Sequence, residues 1–285
     1  MQVKIITDST CDLPKELIEC LDIDIVPLYV IMDDVSYKDG LEMTPRKLIE
    51  WSDKTKKVPK TSAPSVEDFT KIFKPYAARG REAVFISVSS ELSATFQNAF
   101  FAVNSLDNAN IKVVDSKNVS VGTGILVLKA AEMARQGKSP YEIVKALDEI
   151  IPKISASFIF DNLEFLKRGG RCSAAKALAA GALKIRPRID AVEGRLIPVE
   201  KYRGSLEKSV KKFCESVISG MDNADQEYCI IGTTRDDYGL LALLEEEIGS
   251  LGYFKSILKA NPGSIITAHS GPNTYAIIYI KEQIL

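Results

Sequence analysis

The only histidine of the chain, His269, lies in the segment TAHSGPNTY near the C-terminus. Its imidazole can donate a hydrogen bond or carry a charge near neutral pH. Hydroxyl side chains cluster in two earlier segments, with Thr61 and Ser62 in KTSAPS and Ser93 and Thr95 in VSSELSATF. Hydroxyls and amides donate hydrogen bonds to an anion without supplying a full counter-charge. If these segments converge on the histidine, they suit a small anion, particularly a carboxylate.

A second chemistry is open to the same residues. Ser93 and His269 have the residue types of a nucleophile and its general base, as in an acyl hydrolase. The chain has no G-x-S-x-G elbow, and no acid is identifiably placed to orient the imidazole. A serine or threonine at a helix start is also more often only a cap. The residues alone therefore leave an anion site, a hydrolase site and ordinary caps as alternatives.

The charge balance excludes several classes of function. Thirty-seven basic and 38 acidic residues give a formal net charge of -1, so no global field favours nucleic acid or an anionic membrane. No apolar run approaches the ~18 residues that a membrane helix needs. The first residues, MQVKIITDST, do not have the pattern of a signal peptide. We therefore expect a cytoplasmic protein with no integral membrane segment and no nucleic-acid partner.

Cysteine and histidine usage argues against a disulfide framework and against a zinc site. The five cysteines are scattered without a CxxC pair, which is typical of free thiols in a reducing compartment. The sequence also lacks a Walker-type G-x-x-x-x-G-K-[ST] loop, so it shows no ATP site of that kind. We expect no cofactor and no bound metal, with a magnesium site built from carboxylates alone left open.

The first half of the chain alternates short apolar strands with helices. The helices begin at recognisable caps, among them Thr44, Ser65 and Ser139. Near-continuous apolar strands between helices predict a parallel sheet covered on both faces. Ligands of such sheets bind beyond the carboxyl ends of the strands, where helix N-termini present free N–H groups. The segment IDIVPLYVIM, residues 23–32, is predicted as one further strand region.

The pattern changes after Pro152. The segment SASFIFDNLEFLKRGGRCS is interpreted as a strand and a glycine-rich turn, followed by a small-residue helix, AAKALAAGAL. Glu193–Gly194 joins two strands of a predicted hairpin, and SIITAH and TYAIIYI are predicted as the last strands. The predicted fold class is α/β with two domains. We expect residues 1–152 to form a parallel-sheet α/β domain and residues 153–285 to form an α+β domain with a mixed or antiparallel sheet.

Eight motifs follow one another along nearly the whole chain. They are TDSTCDLP, TSAPS, SSELSATFQNA, VDSKNVSVGTG, FLKRGGRCS, KIRPRI, GTTRDD and HSGPNTYA. Together they resemble the DegV family, bacterial proteins that bind fatty acids and act as carrier subunits of fatty acid kinase. Each motif alone is weak, whereas eight in order over 285 residues are specific. The resemblance implies a long-chain fatty acid in an inter-domain tunnel, its carboxylate presented to a separate ATP-dependent kinase that forms an acyl phosphate.

The resemblance also assigns residues, motif by motif. It implies that Thr61, Ser93 and His269 bind the carboxylate. The additional candidates are Ser62, Thr95 and Gly271 for the ligand site and Arg203 and Arg171 for contact with the kinase. A carrier of this kind has no catalytic residue of its own.

Two positions depart from the family pattern. Asn273 stands where the turn His-x-Gly-Pro-Gly usually has its last glycine, and asparagine tolerates positive φ better than most residues. Cys172 stands where an aliphatic residue is usual, which affects packing beside the expected ligand. Two alternatives to the carrier remain: a Ser/His acyl hydrolase, and a lipid-responsive regulatory protein whose fatty acid is a signal.

Overall fold

The computed structural model describes residues 2–175, 178, 185–235 and 239–282. The strands are β1 (Lys4–Asp8), β2 (Asp24–Val26), β3 (Tyr29–Met32), β4 (Val35–Lys38), β5 (Lys60–Ser62), β6 (Ala83–Ser87), β7 (Ile111–Asp115), β8 (Ile154–Ile159), β9 (Ile185–Val192), β10 (Arg195–Arg203), β11 (Ala224–Thr233), β12 (Ser256–Ala260) and β13 (Tyr275–Lys281). The helices are α1 (Lys15–Cys20), α2 (Pro45–Thr55), α3 (Val66–Ala78), α4 (Thr95–Asn104), α5 (Val121–Arg135), α6 (Pro140–Ile150), α7 (Leu163–Gly169), α8 (Leu206–Ile218), α9 (Leu240–Gly249) and α10 (Ser264–Ser270).

The first sheet is parallel, in the order β2-β1-β6-β7. Every residue of β1 and β6 is buried, because helices cover both faces of the sheet. On one face, Phe69 and Phe73 of α3 pack with Phe85 of β6. On the other face, α5 and α6 pack against the alternate strand residues Ile5 and Val84. The parallel α/β arrangement predicted for the first half is confirmed.

The second sheet has six strands in the order β10-β9-β8-β13-β11-β12. It is mixed, because β11 and β12 run parallel while the other pairs are antiparallel. The predicted hairpin joins β9 to β10, and both Glu193 and Gly194 adopt positive φ there. Helices α8 and α9 cover one face of the sheet. The predicted two-domain α/β fold with a mixed second sheet is confirmed.

Helix α5 connects the two sheets. Eleven of its fifteen residues are buried, since it contacts β1 and β6 of the first sheet and β8, β11 and β13 of the second. A helix that is apolar around most of its circumference is expected in such a largely buried place. The sheets therefore share one apolar core across α5.

The segment 23–32 differs from the predicted single strand. It forms two strands in different sheets, because Pro27 interrupts the backbone between β2 and β3. Strand β3 pairs with β4 and β5 in a small antiparallel sheet. Thr61, expected in a turn, lies on β5 opposite Val30.

Two further predictions for the second half were wrong in part. SIITAH is not a strand but most of helix α10, in which Ile265 and Ala268 share a face and are buried together. The segment LEFLKRG, interpreted as part of a turn, is helix α7, capped by Asn162, which accepts a hydrogen bond from the Glu164 amide. Most of the predicted helix AAKALAAGAL lies outside the described residues.

None of the helices in the described part of the chain is long and apolar enough to cross a membrane. Within the same residues, no group of three or more histidine, cysteine, aspartate or glutamate side chains is arranged to hold a metal ion.

Candidate functional site

Helix α10 brings His269 to Thr61. The helix packs on α2 and β3 through Ile265 and Ala268, and on α7 along another side. His269 is on its last turn, and its Nε2 lies 2.8 Å from Thr61 Oγ1 on strand β5. The two residues are 208 positions apart in sequence and share a hydrogen bond. The convergence of these two motifs is therefore a feature of the fold.

Ser93 lies in the turn before α4. Its backbone amide donates to the Ser89 carbonyl, and its hydroxyl shares a 2.8 Å hydrogen bond with the Thr95 hydroxyl. A cavity of about 520 Å³, including its open mouth, brings Ser93 together with the pair from β5 and α10. Ser62 and Arg171 line the same cavity. We call this space the polar cavity, after the hydroxyl, imidazole and guanidinium groups that line it together with apolar residues such as Leu28 and Leu92.

A second cavity of about 490 Å³, including its mouth, adjoins the polar cavity. We call it the apolar cavity, because most of its wall is apolar. Its apolar lining is Val119, Phe158, Phe160, Leu166, Leu196, Pro262, Ile266 and Ala276. Val119, Leu196, Ile266 and His269 line both cavities, so the two spaces share a wall.

The imidazole of His269 is uncharged at neutral pH. Burial and, to a smaller extent, the positive charge of Arg171 together lower its pKa to about 4. Nδ1 is buried and has no hydrogen-bond partner among the described residues, while Nε2 faces Thr61. The ring therefore offers hydrogen bonding through Nε2 and does not act as a cation.

Acidification is expected to destabilise the lipid-free protein through this histidine. The unfolded chain binds a proton below a pH of about 6.5, whereas the folded state resists protonation down to about 4, so stability falls with pH between those values. Between pH 7 and pH 5 the wild type should lose about 2 kcal/mol more stability than His269→Gln. Urea unfolding followed by the fluorescence of the single tryptophan, Trp51, measures the difference. Equal losses in the two proteins would contradict a depressed histidine pKa.

Gly169 determines how closely α7 approaches the imidazole. A Cβ on Gly169 would lie 2.4 Å from His269 Nδ1, well inside contact distance. The sequence motif FLKRGGRCS suggested a turn role for both glycines. Only Gly170 has that role, with φ 71° at the end of α7. The role of Gly169 depends on a residue 100 positions later, and no local signal indicates it.

Gly169→Ala is therefore expected to displace the histidine. Overpacking of this kind costs about 1–3 kcal/mol, against which alanine gains roughly 1 kcal/mol of helix propensity. The nitrogen resonances of the only imidazole should shift in a protein labelled with ¹⁵N-histidine. Gly170→Ala is the matched control, since nothing lies within 4 Å of its Cβ and its cost comes from the positive φ. Unchanged resonances in Gly169→Ala would show that the contact does not constrain the ring.

The two arginines assigned to kinase contact lie in different places. Arg171 lines the polar cavity, and its guanidinium donates to the Leu92 carbonyl (Nε, 3.2 Å) and the Gly169 carbonyl (Nη1, 2.7 Å). Its positive charge lies near His269, and no sequence motif indicated that the two residues would be close. Arg203 is exposed at the end of β10 and lines neither cavity.

The other candidate residues, Thr95 and Gly271, make hydrogen bonds beside the site but do not line it. Thr95 bonds to Ser93 but lines neither cavity, and the Gly271 carbonyl accepts a 2.7 Å hydrogen bond from Thr234. Asn273 adopts φ 57°, so asparagine fulfils the backbone requirement expected at its position. Cys172 is buried in the core cluster that includes α5.

Comparison with known proteins finds relatives that match nearly the whole chain. Residues 2–282 match the family model described as "Uncharacterised protein, DegV family". A DegV domain-containing protein of Clostridium perfringens is 33% identical over 281 residues, covering 99% of both chains.

Two solved structures share the fold closely. A DegV family protein from Thermus thermophilus, described by its fatty acid binding, is 29% identical with a TM-score of 0.90, covering 99% of this chain and 100% of that one. A stearic-acid-binding protein from Eubacterium ventriosum is 26% identical with a TM-score of 0.88, covering 98% of each chain. Since the family model and the relatives span nearly the whole chain, this protein belongs to the DegV family.

Proposed function

We propose that the protein binds one long-chain fatty acid and presents its carboxylate to a separate ATP-dependent kinase. The observation that carries the proposal is the adjoining pair of cavities, one polar and one apolar, which share His269 and Ile266 in their walls. A fatty acid has the same division into a charged head and an apolar chain. The solved relatives from Thermus thermophilus and Eubacterium ventriosum, which are described as binding fatty acids, support this ligand class.

The apolar chain supplies most of the binding free energy. A sixteen-carbon acid has about fifteen carbons to bury, and at ~0.8 kcal/mol each their transfer from water is worth on the order of 10 kcal/mol. Ordering and association costs remove a large part of this. Affinity therefore depends chiefly on the apolar cavity, and the polar cavity sets the orientation of the ligand.

The carboxylate is proposed to bind at Thr61, Ser93 and His269, with Ser62 beside them. Two hydroxyls and the Nε2 atom of a neutral imidazole can donate to its oxygens, and Arg171 supplies the nearby positive charge. The hydroxyl of Thr61 already bonds the imidazole, so carboxylate binding exchanges or extends that hydrogen bond. The proposed head-group site joins both halves of the chain, since the hydroxyls precede residue 152, where the second domain is proposed to begin, and His269 follows it.

We propose that this carrier is a cytoplasmic protein and that the boundary between its two domains lies near residue 152. In the reaction, a carboxylate oxygen attacks the γ-phosphorus of ATP held by the kinase, the bond to ADP breaks, and the acyl phosphate forms. The sequence has no Walker-type loop, which is consistent with ATP binding on the partner. Arg171, at the polar cavity, and the exposed Arg203 are the proposed contacts with the kinase.

The geometry favours binding over acyl hydrolysis. The Ser93 hydroxyl pairs with Thr95, and the imidazole pairs with Thr61. Nδ1, which a hydrolase would orient with an acid, has no polar partner among the described residues and faces Gly169. Turnover of an acyl ester by the isolated protein, abolished in Ser93→Ala, would reverse this preference.

Acyl phosphate formation by a reconstituted system tests the proposal. Delipidated protein is loaded with ¹⁴C-palmitic acid and mixed with ATP and chromatographic fractions of the source cell extract, and acyl phosphate is trapped with hydroxylamine. We expect hydroxamate only when protein, ATP and one kinase fraction are all present. Tight palmitic acid binding without hydroxamate in any fraction would instead favour the lipid-responsive regulatory protein.

A further inference from the structure

Two buried carboxylates meet the first turn of α10. Asp12 Oδ1 accepts a 2.7 Å hydrogen bond from the Gly263 amide, and Asp39 Oδ1 accepts a 2.8 Å hydrogen bond from the Ser264 amide. The partners are 251 and 225 residues apart in sequence. Both aspartates are almost completely buried, at 6% and 3% exposure. These bonds satisfy amides that a helix start cannot satisfy by itself.

The helix has no cap of its own. Gly263, the residue before its first turn, has no side chain to accept a hydrogen bond. A Cβ on Gly263 would lie 3.0 Å from Asp39 Oδ2 and 3.5 Å from Asp12 Oδ1. The absence of that atom lets both carboxylates approach the backbone. The two aspartates of the first domain thus perform the capping that α10 itself lacks.

If these two aspartates served only to stabilise the helix, burying them would be an unfavourable way to do so. Burial raises the pKa of Asp12 to about 8 and also raises the pKa of Asp39. A local serine would cap the helix at lower cost, as Ser65 and Ser139 do for α3 and α6. The two aspartates instead fix the position of helix α10, because Asp12 Oδ2 also accepts a hydrogen bond from Ser120 at the start of α5. Asp12 therefore links the start of helix α10 to the start of helix α5 through hydrogen bonds.

The location of α10 sets the location of the imidazole. Ser264 and His269 are five residues apart on one short helix, a rise of about 8 Å, so movement at its start is passed to its end. We propose that Asp12 and Asp39 are positioning residues that hold α10 where His269 meets Thr61. The inference rests on the proposed carboxylate site, since it assigns these aspartates a role in ligand recognition beyond capping.

The test combines a ligand-free readout with a binding readout. Asp39→Leu removes the acceptor, whereas Asp39→Asn keeps one oxygen for the Ser264 amide. The first readout is the Nε2 resonance of ¹⁵N-labelled His269 in lipid-free protein. The second is the selectivity for palmitic acid over 1-hexadecanol, which have the same chain length. A purely structural defect lowers affinity for both ligands alike and leaves their ratio unchanged.

We expect Asp39→Leu to move the Nε2 resonance and to lower the selectivity about tenfold or more, the scale of an ångström-sized misplacement. Asp39→Asn should keep both values near those of the wild type. A folded Asp39→Leu with wild-type resonance and selectivity would overturn the inference. If that variant does not fold, Gly263→Ala decides, since its Cβ presses on the Asp39 carboxyl group, and an unchanged Nε2 resonance there would equally overturn it.

These measurements distinguish a failure of the proposed function from a failure of the positioning role. If the wild type binds no fatty acid, the proposed function is wrong, and the Nε2 resonance still reports whether Asp39 positions His269. If the wild type selects the acid and Asp39→Leu does so equally well, the proposed function stands and the positioning role is wrong.

Discussion

Replacing Ile266 by tryptophan is expected to reduce palmitic acid affinity at least about 100-fold, or 2.7 kcal/mol. Ile266 lines both cavities, so an indole at this position takes up space between the proposed head-group site and the proposed chain site. The loss follows from excluded methylene groups, each worth ~0.8 kcal/mol when buried. Equilibrium binding of ¹⁴C-palmitic acid to delipidated protein measures the effect.

Ile266→Leu is the matched control for this prediction. It conserves volume and apolar character, so affinity should remain close to that of the wild type. A shorter acid, octanoic acid, should be much less affected by the tryptophan, because its chain extends less far from the polar cavity. Wild-type palmitic acid affinity in a folded Ile266→Trp variant would mean that the chain does not lie in the apolar cavity.

His269→Ala is expected to separate binding from use of the ligand. Affinity for palmitic acid should fall only about tenfold, because the apolar cavity is intact and a hydrogen bond to a charged carboxylate, one of several here, is worth about 1.5 kcal/mol at the lower end of its range. Acyl phosphate formation with the kinase fraction should fall about 100-fold or more, because a misplaced carboxylate is a poor nucleophile for in-line attack. Hydroxamate formation and ¹⁴C-palmitic acid binding, measured on the same preparation, give the two values.

His269→Gln serves as the control, since its amide can donate to the same place without an imidazole. It should recover part of the transfer activity lost in the alanine variant. Loss of all binding in His269→Ala with an intact fold would contradict the proposed division between the cavities.

Local signals in the sequence were sufficient for much of the fold. Ser65 and Asp68 form the capping box of α3, and Ser139 and Glu142 form that of α6, because each motif is complete within four residues. The parallel first sheet followed from its apolar strands in the same way. These elements are determined by neighbours in sequence, so a sequence pattern predicts them.

The site required contacts that no local pattern contains. Helix α10 was predicted as a strand because Ile265 and Ile266 favour strands, whereas its caps come from Asp12 and Asp39 far upstream. Gly169 is needed for a ring 100 residues later. The convergence of Thr61 with His269 was expected only from the family resemblance. The roles of these residues thus depend on tertiary structure.

Mass spectrometry of the lipid carried by the purified protein shows directly whether the chain binds a fatty acid. The protein is purified without added lipid and denatured, and the extracted small molecules are identified and quantified. We expect about one long-chain fatty acid per chain, lost in Ile266→Trp. A lipid-free protein that also fails to take up ¹⁴C-palmitic acid would contradict fatty-acid binding and leave His269 without the proposed ligand.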